Sequence, residues 1–178
     1  LYAIPGLVDI HFHGCMGDDF CDANDDTIKN IAKYEARSGI TSICPATMTI
    51  SKDELREIMK KAAAYDNEEG AKLVGINMEG PFISEAKKGA QSSKYILKCD
   101  AKLFDELNDL SGNIIKLVDI APENDGAMEF IKEVKDRVIV SIAHTMADYD
   151  TASKAFEEGA SHVTHLYNAM PPFTHRAP

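Results

Sequence analysis

Apolar positions along the chain follow two alternating rhythms. Short apolar runs, many of them rich in Ile and Val, recur in I-P-G-L-V-D-I-H-F (within Leu1–Phe12), I-T-S-I-C-P-A-T-M (Ile40–Met48), K-L-V-G-I-N-M-E (Lys72–Glu79), I-I-K-L-V-D-I (Ile114–Ile120), V-I-V-S-I-A-H (Val138–His144) and S-H-V-T-H-L-Y-N (Ser161–Asn168). Such runs are too short for core helices and predict strands; the first suits a strand buried on both faces. Between them the spacing turns helical. Asp25–Ser38 places Ile28, Ile31, Ala32 and Glu35 on one side, with Asp25 and Asp26 at its start and Gly39 beyond its end. Ser51 with Glu54 three residues later reads as a capping box opening a second helix. Further helices are expected near Ala101–Leu110, Gly126–Lys135 and Asp148–Glu158.

Strands alternating with helices imply an α/β fold with a parallel sheet and right-handed crossovers. No G-x-G-x-x-G turn follows the first run, which favours the (β/α)8 TIM-type barrel over a doubly wound sheet. About six of the eight βα units of such a barrel are accounted for, so residues 1–178 are expected to be a fragment of a barrel domain.

Composition narrows the partners. A chain of 178 residues with 44% hydrophobic content supports one core, and its net charge of −10 with no basic block argues against nucleic acid and anionic membrane surfaces. Cys15, Cys21, Cys44 and Cys99 show no paired spacing, and there is no secretion signal or membrane-length apolar run, as fits a cytoplasmic protein.

The chemistry collects where strands should end. His11 and His13, Glu79, His144 and His165 fall at the carboxyl ends of four expected strands, the ends that share the active-site rim of a barrel. His11 and His13 are two apart and would point to the same side of one strand. Glu79 ends an apolar strand, where a carboxylate is costly unless it meets a cation or donors. A lone histidine at such a place is more often a hydrogen-bonded core group than a ligand. Together with Glu79, however, His144 and His165 supply three ligands and an open position, the pattern of a catalytic rather than a structural zinc site.

The ordered motifs P-G-L-V-D-I-H-F-H-G, M-E-G-P-F-I, K-K-G-A-Q, A-P-E, A-H-T, H-L-Y-N-A-M and H-R-A-P carry a resemblance that covers essentially the whole chain. In order and spacing they resemble the N-acetylglucosamine-6-phosphate deacetylases, amidohydrolase-type enzymes. The resemblance implies hydrolysis of the N-acetyl group of N-acetylglucosamine 6-phosphate to glucosamine 6-phosphate and acetate. It implies Glu79, His144 and His165 as ligands of a divalent metal, Zn2+ or Fe2+, with His11 and His13 supporting a second metal as in some members. It further implies Ala90, Gln91, Asn168 and Ala169 at the sugar and phosphate, and Arg176 on the phosphate across the interface of a homodimer. Lys87 and Lys88 read as a solvated pair, and His175 is left unassigned. The family's general-base aspartate and its flanking β-sandwich have no counterpart here; the aspartate is expected beyond Pro178 and the isolated chain is expected to be impaired. Two other readings stay open. A cyclic-amide hydrolase would need a carboxylated lysine on the fourth strand, where Lys116 lies toward the amino end, and a non-catalytic metal-binding fragment would need none of the catalytic machinery.

Overall fold

The computed structural model describes residues 2–22, 24–66 and 68–176; Leu1, at the head of the first expected strand, and the last two residues of H-R-A-P lie outside it. Its architecture is α/β with parallel sheets, and the chain divides into two compact units. The first comprises residues 1–47, 51–77 and 106–116, and the second residues 48–50, 78–105 and 117–178.

In the first unit, β1 (Leu7–Asp9) leads to a small antiparallel hairpin of β2 (Gly14–Cys15) and β3 (Asp18–Asp19). Next come α1 (Asp25–Arg37), β4 (Ile40–Ile43), α2 (Lys52–Ala64) and β5 (Lys72–Leu73), and β6 (Ile76–Glu79) begins in this unit. The sheet has the order β1-β4-β5, with both pairings parallel. Asn24 caps α1 by accepting from the Thr27 amide, and Ile28, Ile31 and Ala32 form its buried stripe as the spacing predicts. Both halves of the Ser51–Glu54 capping box are present on α2.

Two expectations need correcting. The first strand is not buried on both faces: β1 is an edge strand, pairing with β4 alone among the described residues, and Leu7 and Val8 are 58% and 57% exposed. The run Lys72–Glu79 is two strands rather than one. Val74 donates to the Ile43 carbonyl whereas Ile76 donates to that of Ile114, so the chain changes partner strand at Gly75. A Cβ at Gly75 would lie 2.5 Å from Lys116 Cγ, so any larger residue there would have to displace the Lys116 side chain.

The second unit takes in the end of β6 and adds most of its own elements. They are α3 (Ala101–Leu110, shared between the units), β7 (Ile115–Ile120, likewise shared), α4 (Ala127–Val134), β8 (Ile139–Ile142), α5 (Tyr149–Glu158) and β9 (His162–Val163). The sheet order is β6-β7-β8-β9, and β7-β8 and β8-β9 pair in parallel. Val118, Ile120 and Val140 are buried, as are Phe104, Phe130 and Ile131, and the Phe82 and Phe130 rings lie 5.2 Å apart. β9 is shorter than its apolar run because His165, Tyr167 and Ala169 have positive φ, which ends the extended backbone. Among the described residues no helix is long and apolar enough to cross a membrane.

The capping box yields a stability test. Removing the Ser51 hydroxyl leaves the Glu54 amide without its cap, so Ser51→Ala is expected to cost about 1 kcal/mol. Urea unfolding should show a lower midpoint at unchanged slope; an unmoved midpoint would mean the cap contributes nothing.

Candidate metal centre

Three side chains of the second unit converge at the ends of its strands. Glu79 is the last residue of β6 and only 1% exposed; His144 and His165 each stand two residues beyond a strand end, after β8 and β9. Both histidines have left-handed backbones, φ 46° and 56°, so the chain turns sharply at each. His144 Nε2 lies 2.7 Å and His165 Nε2 2.9 Å from the same oxygen, Glu79 Oε1, with the two rings perpendicular and 5.1 Å apart.

The protons decide what this cluster is for. His144 Nδ1 donates to the Lys87 carbonyl at 2.7 Å, and a carbonyl can only accept. A neutral His144 ring therefore presents the lone pair of Nε2 to a carboxylate oxygen, and two acceptors at that separation repel unless a cation lies between them. Either a proton comes to lie between the two atoms or a metal ion takes its place. Burial lowers the His144 pKa, but Glu79, the Lys87 carbonyl and the charge of Asp119 outweigh it, and the net shift is upward. One carboxylate and two imidazoles fit a divalent ion of the zinc or iron type, and fixing Nδ1 on a carbonyl is the usual way a ligating histidine is oriented.

Neighbouring strand ends are laced together around these residues. After β6, the Phe82 carbonyl accepts from the Ala121 amide, and the Asn124 side chain donates to the carbonyls of Phe82 and Ile83. After β7, Glu123 accepts from Thr145 Oγ1 and the Met146 amide, at 2.5 and 2.6 Å. After β8, the Thr145 amide donates to the Ala169 carbonyl beyond β9. Gly80 completes the design at Glu79: its φ is 80°, and a Cβ there would lie 2.1 Å from Thr49 Oγ1.

The other candidate residues are placed as follows. In the first unit, the His11 and His13 rings are 5.6 Å apart. His13 Nδ1 stands 3.3 Å from the Ala46 carbonyl, whereas Asn77 Nδ2 donates to His11 Nδ1, which leaves the proton of a neutral His11 ring on Nε2. In the second unit, Gln91 is buried, with Oε1 accepting from the Thr49 amide at 2.5 Å, and Ala90 is exposed beside it. Asn168 is exposed, Ala169 is half-buried with φ 51°, and Arg176 is exposed. Lys116, the second residue of β7, is exposed, with Nζ toward the Asn113 carbonyl and away from the carboxyl end of its strand.

Two contributors went unnoticed in the sequence. Lys87 acts through its carbonyl, which no side-chain pattern announces. Asp119, fully buried on β7, is a carboxylate inside an apolar strand, the same signal that singled out Glu79. Burial and the Glu79 charge push it up to about 7, against the hydrogen bond from Thr164, the nearby Ser141 hydroxyl and the charge of His144.

His144 and Asp119 thus both hold a proton better folded than unfolded. The His144 contribution is complete below its ordinary 6.5 and is lost as pH rises through its higher folded value; that of Asp119 declines from its ordinary 3.8 up to about 7. Glu69, Glu106 and Asp125, lowered by hydrogen bonds and charge from Lys33, Arg56 and Lys98, change only in acid. The chelator-treated chain is expected to melt at a lower temperature near pH 8 than near pH 6, with a shallower fall in Asp119→Asn. Rising stability over that range, read by thermal denaturation, would contradict both assignments.

Known proteins place the cluster in context. The chain is 40% identical over 181 residues to N-acetylglucosamine-6-phosphate deacetylase of Bacillus subtilis, covering 98% of this chain and 46% of the relative. The crystal structure of N-acetyl-D-glucosamine-6-phosphate deacetylase from Mycobacterium smegmatis matches with a TM-score of 0.91 at 31% identity, over 98% of this chain and 46% of that one. A mutant of the latter enzyme in complex with N-acetyl-D-glucosamine-6-phosphate matches with a TM-score of 0.89 at 30% identity, with the same coverage of both chains. The chain spans about half the length of these relatives. Residues 2–175 match the model of the amidohydrolase family. With that match over nearly its whole length, the chain belongs to the amidohydrolase family.

Proposed function

We propose that this chain carries the metal-binding part of an N-acetylglucosamine-6-phosphate deacetylase, with Glu79, His144 and His165 as the ligands of one divalent ion. The observation that carries this reading is the single Glu79 oxygen faced by two imidazole nitrogens, one of which cannot be a donor when neutral. Metal dependence is general in the family, and the substrate bound to the Mycobacterium smegmatis mutant supplies the phosphorylated amino sugar. When bound, a divalent ion lowers the pKa of water from about 16 to near 7 and polarises the amide carbonyl.

The chain's own residues supply the rest. Glu79 offers negative charge from a buried position, so a bound ion would be held where its field is little screened. His144 is kept in one tautomer by the Lys87 carbonyl. By resemblance, Ala90, Gln91, Asn168 and Ala169 meet the sugar and phosphate. Because Gln91 Oε1 is engaged by the Thr49 amide, its remaining contribution toward substrate is the side-chain NH2. Arg176, exposed in the described structure, fits a phosphate monoester through its planar fork, in a homodimer across the subunit interface. His11 and His13 form an optional second metal position, one that requires the Asn77 amide to turn so that Nε2 of His11 is freed of its proton. The expectation of about six βα units from an eight-unit barrel, of a general-base aspartate beyond this sequence and of a cytoplasmic location belong to the same reading.

Metal analysis and calorimetry on the purified chain test the ligand set. His144→Ala and Glu79→Ala are each expected to lower zinc content sharply, and unchanged stoichiometry in both would refute it. Acetate release, measured on this chain and on any longer protein that carries it, tests the substrate. The 6-phosphate sugar should be strongly preferred to N-acetylglucosamine, and Arg176→Ala should erase most of that preference; equal use of both sugars by the unmutated protein would remove Arg176 from a phosphate site.

A further inference from the structure

Asp119 is the one carboxylate of β7, and the proposed function leaves it without a task. It is fully buried. Oδ1 accepts from Thr164 Oγ1 at 2.9 Å, and Thr164 Oγ1 in turn lies 2.9 Å from Ser141 Oγ, itself 3.0 Å from His162 Nδ1. Oδ2 has no hydrogen-bond partner among the described residues. A buried carboxylate with one oxygen unsatisfied is among the costliest side chains a core can hold, and it persists where something compensates its charge.

Its surroundings identify the compensation. Glu79 ends β6, the strand next to β7 in the sheet, and both carboxylates are buried, so their charges repel with little screening. A dication between Glu79, His144 and His165 would reverse the sign of this balance and turn a repulsion into an attraction. The hydrogen bond to Thr164 adds a mechanical link. Thr164 immediately precedes His165, whose left-handed backbone turns the ring toward Glu79, so Asp119 clamps the residue from which that turn starts.

We infer that Asp119 is a positioning residue of the metal centre, which never touches the ion but raises affinity for it through its buried charge and through its hold on Thr164. The inference rests on the ligand set proposed above. It makes the metal-free protein carry a strained pair of acids that the ion relieves, so affinity is gained at the expense of the empty state. A residue with a purely structural role would stabilise both states alike.

Asp119→Asn keeps the shape and an oxygen for Thr164 while removing the charge. The experiment measures zinc affinity of the purified chain by competition with a chelating dye, alongside its melting temperature in excess chelator. The expected result is a zinc dissociation constant about tenfold higher, the usual scale for a group behind a ligand, with a melting temperature in chelator equal to or above that of the unmutated chain. Thr164→Ser, which keeps the hydroxyl, should hold the unmutated affinity, and Thr164→Val should weaken it, so the link stays testable even where one variant folds poorly. Unchanged zinc affinity in Asp119→Asn and Thr164→Val, with loss in Glu79→Ala, would overturn the role of Asp119 and leave the ligand set standing. Absence of zinc binding by the unmutated chain would overturn both.

Discussion

Everything at the proposed centre follows from one electrostatic constraint, the burial of the Glu79 carboxylate between two imidazoles. Taking a carboxylate out of water costs several kcal/mol after relaxation, and hydrogen bonds from neutral donors return only part of that. One of the two imidazoles has its donor turned away, toward the Lys87 carbonyl. The site is therefore stable only with an added positive charge, supplied by a proton between the two groups or by a metal ion. The raised proton affinity of His144 is one expression of that field, and the proposed binding of a divalent ion would be another.

Holding such a cluster in place falls to the backbone around it. Glu79, His144 and His165 come from strands far apart in the chain, and their loops would scatter without restraint. The lacing through Phe82, Asn124, Glu123, Thr145 and Ala169 ties each strand end to the next. Positive φ at His144 and His165 then lets the rings depart from strand alternation and meet at one oxygen. The A-P-E motif, weak as a signature, has a physical part here. Its alanine amide and its glutamate side chain are two of the ties.

Much of the architecture was legible because local rules and the tertiary structure agree. Apolar runs and helical spacing located α1 to α5 closely, and Ser51 with Glu54 gave the start of α2. Glu79, His144 and His165 were legible for a related reason: polar, metal-competent residues at the ends of apolar strands conflict with burial unless they have a purpose. Membership of the amidohydrolase family rests on the whole ordered set of motifs, and the match over residues 2–175 bears it out.

What the chain determines alone is therefore the rhythm of elements and the presence of polar, metal-competent residues at strand ends, since both depend on neighbours a few positions away. Partnering was decided elsewhere. That Lys72–Glu79 splits at Gly75 between two partner strands, that β1 lies at an edge, and that β9 ends after Val163 depend on which backbone groups meet across long stretches of sequence. The same holds for the proton on His144, which is set by a carbonyl 57 residues away, and for the charge on Asp119, which is governed by burial and by Glu79. Hydrogen-bond direction and desolvation are properties of the folded neighbourhood, and no local pattern encodes them.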